Sequence, residues 1–185
     1  MRIITGIARG VRLETLEGDA TRPTAERVKE AIFSMIHFDL EGARILDLFA
    51  GSGQLGLEAL SRGADNALLA DASADAVAII KRNAQKTKLY QCCRVLCTDY
   101  KNTIRGCVGR EKFDFIFLDP PYAEKMCPTV AKQIYDAGIL AEGGLIFCET
   151  EGEENFDGCG FEVKKRARYG RVHIAVLGWP AEAEE

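Results

Sequence analysis

Residues 44–56 read Arg44-Ile-Leu-Asp-Leu-Phe-Ala-Gly-Ser-Gly-Gln-Leu-Gly56, and this stretch decides the fold. Arg44–Phe49 is a short, nearly continuous apolar run, the pattern of a strand buried on both faces of a parallel sheet. A glycine-rich turn follows, then a helical segment over Gln54–Ser61 that stops at Gly63. Strand, glycine turn and helix in that order belong to doubly wound α/β domains, where ligands bind beyond the carboxyl ends of the strands. Glycines in the turn let backbone N–H groups approach such a ligand without a Cβ in the way.

The same alternation continues outward on both sides. Asn66–Ala70 and Cys92–Cys97 read as strands, with a helix over Ala74–Lys88 between them that turns Val77, Ile80 and Ala84 inward. Phe113–Leu118 is a fourth strand, Met126–Ala137 a helix and Gly144–Cys148 a fifth strand. Phe161–Lys165 and Val172–Leu177 read as a closing antiparallel pair. Upstream, Val28, Ala31, Ile32, Met35 and Ile36 recur at helical spacing over 24–37, with Thr24 as a candidate cap. Residues 2–16 alternate weakly around Gly6 and Gly10, as a small β-hairpin does. The expected architecture is an α/β domain with a mostly parallel seven-stranded sheet and helices on both faces. A hairpin extension over 1–23 and a main domain over 24–185 are expected to fold as one compact unit.

Composition narrows the class. The chain has 185 residues, 47% hydrophobic and 28% charged, enough for one well-filled core. No apolar run is long enough to span a bilayer, and the first ten residues lack the apolar core of a secretory signal, so a cytoplasmic location is expected. The seven cysteines are odd in number and show no Cys-x-x-Cys spacing, which argues against a disulfide framework and a zinc site. Net charge is −4 and the pI about 5.4, against non-specific coating of nucleic acid. The charge is unevenly spread, however. Arg2, Arg9 and Arg12 occupy an acid-free N-terminus, and Lys164, Lys165, Arg166, Arg168 and Arg171 form a second acid-free run. Pattern alone leaves solvated faces and partner surfaces both open.

Gly51, Gly53 and Gly56 satisfy the dinucleotide fingerprint, with Asp71 twenty positions beyond the first glycine, so an NAD-dependent oxidoreductase is one reading. Two acids favour S-adenosylmethionine instead. Asp47 lies four residues before Gly51, where it would repel a pyrophosphate but attract the α-ammonium and sulfonium of a cationic nucleoside. Asp99, directly after the third strand, suits an adenine amino group; taken alone it also reads as a helix N-cap, and its weight lies in the series of three strand-end acids. The fourth strand delivers Asp119-Pro120-Pro121-Tyr122 to the same edge. The two prolines fix the backbone and leave carbonyl acceptors. Asp119 and the Pro120 carbonyl can then hold an exocyclic amine while Tyr122 stacks on its base. The only histidines, His37 and His173, are elsewhere, so alignment rather than a histidine base carries the expected rate gain. The proline segment suits guanine N2 and adenine N6 alike.

Arg22-Pro-Thr24 with Arg27-Val-Lys-Glu30, Asp47-Leu-Phe-Ala-Gly-Ser-Gly53, Gly56-Leu-Glu-Ala-Leu-Ser-Arg-Gly-Ala64 and Asp119-Pro-Pro-Tyr122 together closely resemble the ribosomal RNA small-subunit methyltransferase D family, over essentially the whole chain. The resemblance implies a Rossmann-like class I methyltransferase that uses S-adenosylmethionine to form N2-methylguanine, at guanine 966 of 16S ribosomal RNA. It implies a substrate already assembled with ribosomal proteins; the protein itself is expected to be a monomer. Carried onto this chain, the cofactor residues are Asp47, Ala50, Gly51, Gly53, Asp71, Ala72, Asp99 and Tyr100, and the target base is held by Asp119, Pro120, Pro121 and Tyr122. RNA contacts are expected from Arg9, Arg12, Arg22, Lys164, Lys165, Arg166, Arg168 and Arg171.

Overall fold

A computed structural model describes residues 1–16, 23–121 and 125–181 of the chain; Arg22 and Tyr122 lie outside them. Helix α1 (Pro23–Met35) leads to a seven-stranded sheet in which β1 (Arg44–Asp47), β2 (Asn66–Asp71), β3 (Cys93–Cys97), β4 (Phe113–Leu118) and β5 (Leu140–Thr150) run parallel. Helices α2 (Gln54–Ser61), α3 (Ala74–Lys86), α4 (Tyr100–Cys107) and α5 (Cys127–Ala137) connect them. β6 (Glu162–Tyr169) and β7 (Val172–Gly178) close the sheet as an antiparallel pair, giving the order β3-β2-β1-β4-β5-β7-β6. Strand residues alternate between two cores, one built on Ile45, Leu69, Phe117 and Val176, the other on Leu46, Leu68, Ile116 and Leu177. Among the described residues no helix is long and apolar enough to cross a membrane.

Several boundaries differ from the sequence reading, each for a local reason. Pro23 takes the first helical position of α1, where its missing N–H costs nothing, so Thr24 lies inside the first turn rather than capping it. α3 stops at Lys86 rather than Lys88, because Thr87 Oγ1 turns back to the Asn83 and Ala84 carbonyls and Lys88 adopts a left-handed φ of 62°. Cys92 ends a 3₁₀ turn rather than opening β3. α5 begins at Cys127, with Met126 as its N-cap residue. β5 starts at Leu140, because a register shift between Phe113 and Phe115 lets the strand carry Glu142-Gly143 and still pair with β4. Phe161 precedes β6, which runs on to Tyr169 and so holds most of the basic run. α4 was absent from the sequence reading; its short core face shows only Thr103, Ile104 and Cys107.

The N-terminal residues form an antiparallel ribbon around one bridge, Arg2 to Arg12, with Ile3 N–H donating to the Val11 carbonyl at 3.0 Å. Ile3, Ala8 and Leu13 enter the first core, so the ribbon is part of the domain's own packing. A buried charge cluster holds it. Glu58, fully buried on α2, accepts the Ile4 and Thr5 N–H groups at 2.8 and 3.0 Å and ion pairs with Lys29 at 3.2 Å and Arg62 at 2.9 Å. Lys29 Nζ also donates to the Arg2 carbonyl at 2.6 Å, and its pKa is lowered by burial, against the pull of Glu58. Such a cluster fixes geometry more than it adds stability. The ribbon approaches α2 so closely that a Cβ on Gly6 would lie 1.7 Å from the Ser61 carbonyl oxygen, at φ 88°. Gly6→Ala is expected to cost about 2 kcal/mol, read as a lower urea midpoint with an unchanged slope.

Candidate active site

Because β3, β2, β1 and β4 are neighbours in that order, four acids stand side by side at their carboxyl ends: Asp99, Asp71, Asp47 and Asp119. Register turns the row into steps. Asp47 pairs with Leu69 and Phe117, so Asp71 and Asp119 stand two residues farther out on either side of it. Cys97 pairs with Asp71, so Asp99 stands two residues beyond that.

Asp47 is the deepest, 1% exposed, and its Oδ1 has no hydrogen-bond partner among the described residues. Burial, followed by the Asp71 charge, pushes its pKa up to about 7, against backbone N–H groups of Gly56 and Phe49 that stabilise the carboxylate. Gln54 Oε1, at the start of α2, is also buried with no partner among the described residues. Two orphaned acceptors thus border the glycine turn, an arrangement that suits a ligand bringing donors or positive charge. S-adenosylmethionine carries both, whereas the pyrophosphate of a dinucleotide would meet an acid.

The glycines divide their work. Gly51, with φ 55°, has open space where its Cβ would be, and Gly53, with φ 79°, is the left-handed N-cap of α2. Gly56 serves packing, since a Cβ there would meet Leu69 Cδ2 at 2.1 Å. Ala50 is buried and tied to β2 through the Ala70 carbonyl, while Ala72 is exposed. Asp71 already grips the turn. Its Oδ2 accepts the Gly51 N–H at 2.9 Å and its Oδ1 accepts Ser73 N–H at 2.8 Å. Asp99 caps α4, accepting Asn102 N–H and Nδ2–H at 2.8 and 2.9 Å, and Tyr100 lies 5.6 Å from the Phe49 ring. Each carboxylate keeps further acceptor positions. Directly beyond β4, Asp119 is half-buried, Pro120 buried and Pro121 exposed.

The basic residues separate. Arg9 and Arg12 are exposed on the ribbon. Lys164 pairs with Glu162, Arg166 Nη2 donates to the Glu154 carbonyl at 3.2 Å above the Phe156 ring, and Arg168 Nε donates to the Gly170 carbonyl at 2.9 Å. β6 is an edge strand, and charge on such a strand discourages sheet extension, which by itself explains Lys164 and Lys165. Arg168 and Arg171 differ: through His173 and Thr150 they are level with the end of β5, at the same edge as the four acids.

Two groups escaped the sequence reading. The Lys29–Glu58–Arg62 cluster was signalled only by an acid inside the apolar helix Leu55–Leu60. Asn83 was signalled only by a polar residue on the inward face of α3; it is fully buried and bonds to both the glycine turn and the ribbon.

The strand order, with its helical connections, defines the Rossmann-like fold of class I methyltransferases. The solved structure of yhhF from Escherichia coli superposes with a TM-score of 0.82 at 27% identity, covering 96% of each chain. The family described as Conserved hypothetical protein 95 matches residues 1–178, and the chain belongs to that family. YlbH of Bacillus subtilis is 40% identical over 154 residues, 83% of this chain and 84% of that protein. The ribosomal RNA small subunit methyltransferase D of Escherichia coli is 33% identical over 153 residues, 83% of this chain and 76% of that one.

Proposed function

We propose that this protein methylates ribosomal RNA, transferring the methyl group of S-adenosylmethionine to the exocyclic N2 of a guanine, guanine 966 of 16S RNA, in the small ribosomal subunit or its assembly intermediate. The observation that carries the reading is the adjacency of β1 and β4, with the Asp47 carboxylate oxygen, unpartnered among the described residues, beside the strand that leads directly into Asp119-Pro120-Pro121. The relatives named as ribosomal RNA methyltransferases support the substrate class. In this reading the protein acts in the cytoplasm as a monomer.

Asp47, Ala50, Gly51, Gly53, Asp71, Ala72, Asp99 and Tyr100 hold the cofactor, which when bound supplies an electrophilic methyl on a sulfonium. Asp71 hydrogen-bonds the ribose and Asp99 the adenine amine, through acceptor positions left beside their existing bonds. The target amine is a weak nucleophile, because its lone pair is delocalised into the ring. Acceptance of its N–H groups by the Asp119 carboxylate and the Pro120 carbonyl turns that lone pair toward the methyl, with Pro121 stiffening the segment and Tyr122 stacking on the base. Arg9, Arg12, Arg22 and the basic run around β6 bind phosphate. Arg168 and Arg171 contribute most, because they share the edge with Asp119. Arg168→Glu with Arg171→Glu is expected to weaken binding to the ribonucleoprotein about tenfold and flatten its salt dependence, whereas Lys164→Glu changes it less than twofold.

The test is methyl transfer from tritiated cofactor onto small subunits from a strain lacking the gene, followed by nucleoside analysis. N2-methylguanosine is the expected product. N6-methyladenosine would reassign the base, and no incorporation would overturn the reading.

A further inference from the structure

Asn83 on α3 is fully buried and uses both ends of its carboxamide. Its Oδ1 accepts the Glu14 N–H at 2.8 Å, and its Nδ2 donates to the Glu14 carbonyl at 2.9 Å and the Ser52 carbonyl at 2.8 Å. The paired bonds to Glu14 mimic one rung of a sheet, at the point where the N-terminal ribbon leaves toward α1. The bond to Ser52 grips the glycine turn between Gly51 and Gly53. One side chain therefore fastens two segments that lie far apart in sequence and share no backbone hydrogen bond among those described. The side chains of the adjacent Arg82 and of Glu14 pair with each other at 2.7 Å on the exposed side.

We propose that Asn83 is a positioning residue that couples the N-terminal ribbon to the cofactor turn, so that order in either segment favours order in the other. This rests on the assignment of the glycine turn as the S-adenosylmethionine site. The physical basis is that a planar amide with every bond directed cannot follow one partner away without breaking from the other. Ligand at the turn then slows local opening of the ribbon exit, although that exit is held by Asn83 rather than by the ligand.

Amide hydrogen exchange on the full chain tests this in two ways. In the wild-type protein, saturating S-adenosylhomocysteine is expected to slow exchange at Gly51–Gly53 and, about fivefold or more, at Glu14 as well. Protection at the turn with no change at Glu14 would overturn the coupling. Without ligand, Asn83→Ala is expected to speed exchange at Glu14 and Gly53 together and to weaken S-adenosylhomocysteine binding about tenfold. Glu14→Gln, which removes only the outer ion pair, is expected to leave both within twofold. A lower melting temperature for Asn83→Ala with cofactor affinity within twofold of wild type would reduce Asn83 to ordinary core support. If the wild-type chain fails to bind S-adenosylhomocysteine, the cofactor assignment falls and the ligand-free comparison still decides the coupling. If Asn83→Ala fails to fold, the wild-type comparison decides it.

Discussion

Asp119→Asn is expected to lower methyl transfer to small subunits by a factor on the order of 100 to 1000 while leaving the affinity for S-adenosylhomocysteine within about threefold. The split follows from where Asp119 stands. It is one residue past β4 and two residues farther out than Asp47, on the strand next to the one that enters the cofactor turn. In the proposed reading its carboxylate holds the amine, and replacing one acceptor oxygen with an amide donor opposes the N–H groups it would receive. Ground-state binding of the RNA depends on many phosphate contacts and is expected to change little, so the loss should appear in kcat rather than KM. Unchanged turnover, or an equal loss of cofactor affinity, would remove Asp119 from the role of holding the base.

Asp47→Asn is expected to raise the stability of the ligand-free chain at alkaline pH. A pKa pushed up to about 7 by burial means the folded protein favours the neutral acid. The stability associated with that neutral form is complete below the ordinary carboxylate range, near 3.8, and is lost as pH rises toward 7. Above that the folded chain carries a buried anion at a cost of at most about 4 kcal/mol. The neutral amide avoids it, so the ligand-free variant should be more stable than wild type by about 2–4 kcal/mol at pH 8 and nearly equal to it at pH 4. Urea unfolding at the two pH values measures the difference. A variant less stable than wild type at pH 8 would mean that the carboxylate is satisfied within the folded chain. An anion kept at such a cost is the mark of a site whose stability is traded for binding a cation.

Much of this was legible in the sequence because parallel strands are buried on both faces and declare themselves as apolar runs. Arg44–Phe49 and Phe113–Leu118 needed no partner to be recognised, and their order placed every strand-end acid on one edge. The glycine turn was equally local, although its third glycine proved to serve helix packing against Leu69. What escaped was non-local or half-exposed. The ribbon's anchors lie more than 50 residues away, at Glu58 and Ser61, and Asn83 reaches Glu14 across 69 positions; no periodicity reports such bonds. α4 shows too narrow an apolar face to stand out. The strand read over Phe161–Lys165 is present, but the basic residues that follow conceal its run to Tyr169 and its two differently placed groups of cations.

The cationic-ligand account turns on a single calorimetric comparison, S-adenosylhomocysteine titrated into the wild-type chain and into Asp47→Asn at pH 7.5. The ligand keeps the α-ammonium of the cofactor, so the account predicts measurable wild-type binding that weakens by at least about tenfold in the variant. Equal affinity in the two proteins, or binding of NADH in place of S-adenosylhomocysteine, would contradict it.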